Sequence, residues 1–564
     1  MHVSPDPALF RRERLGTSFL CARATETTEM FEGEPTRNTR VAVVSLSNPF
    51  NIGARHLSSL AKVRGYDTHM IFVGAFRKND ILPPTNQDIE MLTDLLAGDL
   101  KPHVVGISVS CSSFYNAAVR ITDRLREKGF EGLVAWGGIH SILRPQDCIG
   151  HADLAFTGEA EVPWVEFLDR VETGAPFVDL HGAWVRDADG TIHRNPYGEL
   201  PENLDSVPFP DYDNDRKYHI ADGKLEKIEP FRKEMYSIFV LSSRGCPFKC
   251  AFCATPLIHQ QHLEGLRSGK YIRQRSVANV IEELKYIEDS FPDFKASKDG
   301  TINFGDDVFV LYKDWVKEFS EEYRKHFDRP YWCYFHPNTI NREIVETLAG
   351  TGLKYVDMGV QSGSERIRTQ LFDRTDTDEK IRKAVNVLHD VGVGIVMDVI
   401  TDNPFDTEED KQSGLEFFLS LKRPFTLNYL SMIMFPEVKF TQRALEAGLI
   451  TEDDIEMNRM KVFEQWETKY DWPKRSPNEL FWIALYTMTG KTFVPRWYLR
   501  LLARIPWLRK NPGFMVWSAK RASNIVWLST RMRIFWRRLL RGQIRLSDIV
   551  YSINKYRRLG LPQE

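Results

Sequence analysis

From Arg40 onward, short runs of β-branched and aliphatic residues alternate with longer amphipathic stretches, and this rhythm limits the fold more than any other feature of the sequence. "RVAVVSL" reads as a buried strand, and "GARHLSSLAKVRGYDTHMIFVG" as a helix, a stop at Gly65 and a second strand. The order returns in "HVVGISVS", "FYNAAVRITDRLREKGF", "GLVAWGG" and "ADLAFTGEAEVPWVEFLDRV". Strands joined by helices pair in parallel, so the pattern predicts a doubly wound, Rossmann-like sheet over 40–175. Its ligand would sit beyond the carboxyl ends of the strands.

A second series starts at "YSIFVLSSRG" and runs through "GTINFGDDVFV", "RPYWCYFHPNTI", "LKYVDMGVQSG" and "GVGIVMDVITDNPF". Its spacing predicts a whole or partial TIM-type (β/α) barrel over 233–450. Between the two series, 176–232 reads as a connector with one hairpin, its Asp-Gly turn lying in "GAWVRDADGTIHRNP". Residues 1–39 have no periodicity and are expected to form a loose leader. Over 451–564 the strands stop, and helical patterns rich in Trp and Arg form a C-terminal region that is basic from 491. The fold class is α/β.

Such a fold needs apolar residues to bury, and 42% hydrophobic residues in a chain of 564 supply several cores and exclude a disordered chain. No stretch approaches the ~18 uncharged apolar residues of a membrane span, and no secretory h-region opens the chain, so a cytoplasmic setting is expected. Seven cysteines, odd in number and mostly scattered, suit a reducing compartment.

Three of the seven, Cys246, Cys250 and Cys253, crowd into "SSRGCPFKCAFC", on the loop leaving the first strand of the second series. A structural zinc ion wants four ligands, commonly from two CxxC pairs, whereas Cys21, Cys111, Cys148 and Cys333 stand far off. Cys333 lies inside an aromatic strand run, where a thiol behaves as a small buried hydrophobe. Zinc is the weaker reading. A C-x3-C-x2-C spacing suits three irons of a cubane cluster, with the fourth iron left open.

These cysteines, with Phe252 before the last, resemble the signature of the radical S-adenosylmethionine (SAM) superfamily. "NFGDDVF", "MGVQSGSERI" and "DVITDNPFDTEED" resemble its second-, fourth- and fifth-strand segments, so the likeness spans 233–450. It implies a 4Fe-4S cluster on Cys246, Cys250 and Cys253, whose open iron chelates SAM. It also implies an electron donor such as flavodoxin or ferredoxin, and cleavage of SAM to a 5'-deoxyadenosyl radical. Phe252, Asp306, Asp307, Gln361, Ser362 and Glu365 fall where the resemblance places SAM contacts. The sequence departs from the common pattern at Gly305-Asp306-Asp307, where many members have Gly-Gly-Glu-Pro, and at Asp402–Thr407, where many have Gly-Leu-Pro-Gly-Glu-Thr. Asp306 and Asp307 stay open between a SAM ammonium acceptor and a solvated acidic turn. Gln361, Ser362 and Glu365 stay open between ligand contacts and the cap of a helix.

In the first series, "NIGARHLSSLAKVRGYD", "GISVSCSSFYNAAVRITDRL", "WGGIHSILRPQDC" and "ADLAFTGEAEVPW" resemble, in this order, the cobalamin-binding domain fused to radical SAM barrels. The likeness puts Ser108, Ser110, Gly137, Gly138, Gly158 and Glu159 near cobalamin. Ordinary turn chemistry is the alternative at each, and a degenerate domain that binds no cobalamin is the alternative for the whole. The Asp-x-His-x-x-Gly motif of cobalamin mutases is absent from "SNPFNIGARH", so the cobalt is expected to lack a protein imidazole. His56 and His140 are read as structural.

The two likenesses together imply a cobalamin-dependent radical SAM enzyme that methylates an unactivated carbon through methylcobalamin and a 5'-deoxyadenosyl radical. The alternatives are a cobalamin radical SAM cyclase or rearrangement enzyme without methyl transfer, and a non-catalytic iron-sulfur sensor or scaffold. A methylthiotransferase would need three more grouped cysteines. No single catalytic side chain stands out, and a small-molecule or lipid substrate fits equally.

From Lys491 to the end there are 17 Lys plus Arg against Asp548 and Glu564, a charge of about +15 in a chain whose net charge is −2. "NIVWLSTRMRIFWRRLLR" sets Ile525, Leu528, Met532, Phe535, Trp536 and Leu539 on one helical stripe and Arg531, Arg533, Arg537, Arg538 and Arg541 on the other. Two readings stay open: a helix at the anionic inner face of the membrane, or one docked on the barrel. Nucleic acid is not expected, since no binding motif accompanies the charge.

Overall fold

The structure is a computed structural model and describes residues 37–523 and 525, apart from 75, 78, 79, 82, 233–236, 266–269, 297–299 and 457–474. The leader up to residue 36, and the expected amphipathic stripe beyond Ile525, lie outside the described residues.

The first series forms a doubly wound sheet. β1 (Arg40–Leu46) pairs in parallel with β2 (Asp67–Val73), which is followed by a short ladder of β3 (Phe76–Arg77) and β4 (Asp80–Ile81). β5 (Val104–Ser108), β6 (Leu133–Gly137) and β7 (Leu154–Phe156) continue the parallel pairing on the other side of β1. One face packs Leu60, Ala61, Trp164 and Phe167 from helices Ile52–Val63 and Glu161–Thr173, and the other packs Ile89, Leu92, Ile121 and Leu125. Burial on both faces explains why these strands read as continuous apolar runs.

Residues 176–232 do more than connect. β8 (Ala183–Arg186) pairs antiparallel with β7 and forms the expected hairpin with β9 (Ile192–Arg194), past Gly190 at φ +89°. β10 (Lys217–Ala221) joins β2 in parallel, and β11 (Lys224–Glu226) folds back on it antiparallel. The sheet therefore has nine strands in the order β11-β10-β2-β1-β5-β6-β7-β8-β9, and the connector supplies both of its edges. These strands are short, the outermost two, β9 and β11, are largely exposed, and β10 finds its partner by a register, Lys217 against Met70, that no local sequence cue specifies.

β12 (Ser237–Val240) opens the second series, followed by an antiparallel ladder of β13 (Ser243–Arg244) with β14 (Arg273–Gln274). β12, β15 (Thr301–Phe304), β16 (Tyr331–Phe335), β17 (Leu353–Gln361), β18 (Gly394–Thr401) and β19 (Thr426–Ser431) form an all-parallel sheet in chain order. This is a β/α barrel left open after six strands. Ile302, Phe304, Cys333, Phe335, Val356 and Met397 face the helices, sharing a core with Trp482 and Leu485 of helix Pro477–Thr489 and with Met515 and Ala519. Part of the C-terminal region is thus the outer layer of the barrel. Side chains alternate along a strand, so Phe239, Asn303, Trp332, Tyr334, Asp357, Asp398 and Asn428 face the interior.

Candidate active site

The cysteine loop runs from β13 to helix Thr255–Gly265 and is pinned at its middle. Ala251 donates its N–H to the Phe372 carbonyl at 2.9 Å, and its own carbonyl accepts from Phe440 N at 2.9 Å. The Phe248 ring stacks on His336 at the end of β16, with centroids 3.6 Å apart. Gly245 has φ +91°, and a Cβ there would lie 3.0 Å from the Tyr271 ring, so the turn into Cys246 requires glycine.

Cys250 is buried, and Cys246 and Cys253 are half-buried. Burial pushes all three thiols above their ordinary value, Cys246 to about 12. Such thiols become thiolates when a metal cation displaces their protons. Thr255 N donates to Cys253 Sγ at 3.4 Å, and Arg374 Nη1 lies 3.5 Å from Cys250 Sγ. Arg374 is held by Asp376 Oδ1 at 2.9 Å and the Gly359 carbonyl at 2.6 Å. Among the described residues no three His, Cys, Asp or Glu side chains converge on a site for one metal ion. A cluster asks each thiolate only to reach its own iron, and the one-loop donor set fits it. Cys148 and Cys333 are buried in other cores, Cys111 packs beside the first sheet, and Cys21 lies outside the described residues.

The expected SAM residues separate by environment. Asp306 is 1% exposed, and its Oδ1 accepts from Ser242 Oγ at 2.8 Å and Ser243 Oγ at 2.5 Å, which ties the end of β15 to the loop before the cysteines. Asp307 remains accessible, although the surrounding protein raises its carboxyl, and its charge is felt at Cys246 and Cys253. Phe252 packs against the cluster of Ala251, Phe372 and Phe440, its ring 4.8 Å from Phe372. Gln361, at φ +70° on a bulge between β17 and β18, keeps a buried Oε1 with no protein partner. Ser362 Oγ accepts from Ser364 N at 3.1 Å, and Glu365 Oε2 accepts from Asp378 N at 2.6 Å, so these two support the turn and the next helix.

In the first sheet, Ser108 Oγ accepts from Asn51 Nδ2 at 2.9 Å, which joins the loops after β1 and β5. Ser110 is half-buried on the β5 loop. Gly138, at φ +97°, owes its lack of a side chain to the fold: a Cβ would lie 2.7 Å from the main chain of Val109. Gly137 is unconstrained, its nearest neighbour to a Cβ being Phe156 at 3.7 Å. His56 Nδ1 donates to the Pro208 carbonyl at 2.8 Å, and His140 Nδ1 lies 3.0 Å from Ser112 Oγ.

The two carboxyl edges face each other. Phe50, on the loop after β1, packs its ring 4.8 Å from Phe231 and 5.1 Å from Phe239 of β12. From Phe239 the rings continue to Trp332, then to Tyr334 and Tyr355. On the loop after β7, Gly158 admits His262 so closely that a Cβ would lie 2.8 Å from its Nε2. The structure gives Glu159 partners in the second unit: Arg244 Nη1 at 2.7 Å, and Arg273. Glu161 also meets Arg244 at 2.7 Å. Arg244, Arg273, His262 and Arg374 escaped the sequence reading, since nothing in a linear pattern marks an arginine as an interdomain partner or a thiolate neighbour.

Residues 240–417 match the family model of the Radical SAM superfamily. An uncharacterised methyltransferase of Pyrococcus horikoshii is 28% identical over 327 residues, which are 56% of this chain and 64% of that protein. The chain thus spans less than two thirds of that relative. The cobalamin-dependent S-adenosylmethionine radical enzyme OxsB, with aqua-cobalamin and S-adenosylmethionine bound, superposes with TM-score 0.60 at 15% identity over 90% of this chain and 81% of that one. The radical S-adenosylmethionine methyltransferase TsrM of Kitasatospora setae, with cobalamin and a [4Fe-4S] cluster bound, gives TM-score 0.56 at 16% identity over 73% and 75%.

Three cysteines after the first strand of an open β/α barrel lie within the segment 240–417 that matches the superfamily, and this segment is a radical SAM domain. The fold of the chain, a sheet domain ahead of the radical SAM domain, is that of the cobalamin-dependent radical SAM enzymes.

Proposed function

We propose that the protein is a cobalamin-dependent radical SAM methyltransferase acting on an unactivated carbon of a small molecule or lipid. The observation that carries this reading is the meeting of the two carboxyl edges, at Phe50 on Phe239 and at Glu159 on Arg244 and Arg273. Doubly wound sheets and β/α barrels both bind ligands at that edge, so a corrin on one and SAM on the other would share a cavity. Likeness to a methyltransferase and to two enzymes solved with cobalamin supports it.

When bound, the cluster and SAM supply a radical that takes a hydrogen atom, and cobalamin supplies the methyl carrier. The chain's part is to hold and orient. Cys246, Cys250 and Cys253 would hold three irons. Asp307, the accessible carboxylate of its pair, would receive the SAM ammonium, and Gln361 Oε1 offers a buried acceptor. Ser108, Ser110 and Gly137 would meet cobalamin with hydroxyls and bare backbone. Phe50, Phe239, Trp332 and Tyr355 would keep water from the radical.

The test is anaerobic incubation of cluster-loaded, cobalamin-loaded protein with SAM and dithionite, followed by mass comparison of metabolites from cells with and without the protein. Release of 5'-deoxyadenosine and a product heavier by one CH2 are expected. A loaded protein that releases no 5'-deoxyadenosine would be a sensor, and a product of unchanged carbon count would be that of a cyclase or rearrangement enzyme.

A further inference from the structure

Every exposed Trp and Phe among the described residues falls in one short stretch: Phe493, Trp497, Trp507, Phe514 and Trp517 are 49–66% exposed. The helix Arg496–Ala503 buries Leu499, Leu502 and Ala503 and turns Trp497, Leu501 and Arg504 outward. Pro506–Lys510 buries Leu508 and exposes Trp507 and Lys510. Over 513–523, which are helical, Met515, Ala519 and Ala522 pack inward while Phe514, Trp517, Lys520 and Arg521 stay at the surface. There the Phe514 and Trp517 rings stack at 6.2 Å, and the Arg521 guanidinium lies 5.7 Å from the Trp517 centroid.

Small side chains inside and large aromatics outside invert the usual order, and so dense a cluster of exposed apolar side chains on a folded protein marks a surface that something covers. Charge identifies the occupant. Residues 491–525 contain eight Lys or Arg and no Asp or Glu. Arg500 and Arg509 are engaged by Glu416 and Glu408, whereas Arg504, Lys510, Lys520 and Arg521 are exposed. Trp seats at the headgroup level of a bilayer, and basic residues are drawn to anionic lipid. A second copy would set the same basic, acid-free face against its own, and the like charges argue against it. Exposed aliphatics such as Leu501 and Ile525 add nothing to base stacking, which argues against single-stranded nucleic acid. No helix among the described residues is long and apolar enough to cross a membrane, so contact would be with its surface.

We propose that residues 493–525 dock the protein on an anionic lipid bilayer, with Trp497, Trp507 and Trp517 at headgroup depth and Arg504, Lys510, Lys520 and Arg521 beside lipid phosphates. The docking stands apart from the chemistry of the cysteine loop and holds whatever the substrate.

The experiment is co-sedimentation of the full chain with vesicles of phosphatidylcholine alone or mixed with phosphatidylglycerol, at low and high salt. Pelleting with the anionic vesicles, weakened by salt, is expected. Trp497→Ser, Trp507→Ser and Trp517→Ser together should lower vesicle affinity at least about tenfold, with circular dichroism, thermal unfolding and iron content unchanged. Arg504→Gln, Lys510→Gln, Lys520→Gln and Arg521→Gln together should weaken pelleting with the anionic vesicles at low salt and lower the salt dependence. Three outcomes would overturn the proposal: full-length protein left in the supernatant, a triple variant that pellets like the parent, or light scattering showing that the tryptophans hold a dimer. Displacement from vesicles by a single-stranded oligonucleotide would assign the surface to nucleic acid instead.

Discussion

Arg55 and Glu229, 174 residues apart, meet in a two-point ion pair in which neither side chain is exposed, with Nη1–Oε2 at 3.0 Å and Nη2–Oε1 at 2.8 Å. The guanidinium lies over the rings of Phe72, Tyr212 and Phe231, and donates to the carbonyls of Pro49 and Asp211. The pair therefore clamps the helix after β1 to the segment that leads into the barrel. Glu229→Ala strands a buried cation and should cost about 3–5 kcal/mol in denaturant unfolding. Arg55→Met with Glu229→Leu should recover much of that loss. A single variant as stable as the parent would show that the clamp contributes nothing.

Cys246→Ala, Cys250→Ala or Cys253→Ala should each abolish the cluster's absorbance and SAM cleavage together, because no other cysteine among the described residues reaches the loop. Cys148→Ser and Cys333→Ser should keep full iron content, apart from a folding cost at these buried sites. Iron analysis and EPR of the reduced protein check both statements.

Arg374 places a positive charge and an N–H donor at the Cys250 sulfur. Donors and positive charge near a cluster make an added electron less costly, so their loss should move the reduction potential to more negative values. Arg374→Gln removes the donor and the positive charge, while Asp376 keeps the Arg368 guanidinium, 3.8 Å away, as a counter-charge. An EPR-monitored redox titration reads the shift, and an unchanged potential at full cluster loading would refute it.

Gly138 and Gly137 allow fold and ligand to be separated. Gly138→Ala forces a Cβ to within 2.7 Å of the Val109 backbone at a positive φ and should cost about 1–3 kcal/mol or more. Gly137→Ala meets only ordinary contact at 3.7 Å and should leave stability unchanged. Cobalamin uptake measured by absorbance should nevertheless fall in Gly137→Ala, since the proposed cobalamin contact uses its bare backbone.

Burial, with Glu479 nearby, raises the Asp406 carboxyl from 3.8 to about 7. The unfolded chain ionises first, so the stabilising preference is complete below pH 3.8, drains away as pH rises, and is gone above about 7. Asp406→Asn keeps an acceptor for Asn403 Nδ2, now at 2.9 Å, and never ionises. Relative to the parent it should gain stability across that window, by at most about 1.4 kcal/mol per pH unit. Parallel unfolding curves at every pH would show that Asp406 ionises freely.

The strands and the cysteine loop were legible because their signals are local. β1, β2 and β5 read as apolar runs because both faces are buried, and the cysteines declare themselves by spacing. What escaped is decided by distant partners. Arg55 sits on an amphipathic helix where a charge normally marks the solvent face, yet it is fully buried because Glu229 arrives from far along the chain. Glu159 looked like part of a ligand loop, and Arg244 and Arg273, close only in space, gave it another partner. Asp306 and Asp307 are neighbours of one residue type, and only the packing of Ser242 and Ser243 tells the structural one from the accessible one.

The strands drawn from 176–232 decide where this protein can be cut. A fragment ending near residue 175, where the strand–helix rhythm stops, would bare the amide edges of the buried strands β2 and β7 to other molecules. In the intact chain those edges are hemmed by β10 and β8, and then by three-residue strands, Lys224–Glu226 and Ile192–Arg194, too short to template further pairing. The smallest piece of the first unit that keeps both edges covered extends past β11 to the segment ending at Arg232, and an expression boundary placed earlier should favour aggregation.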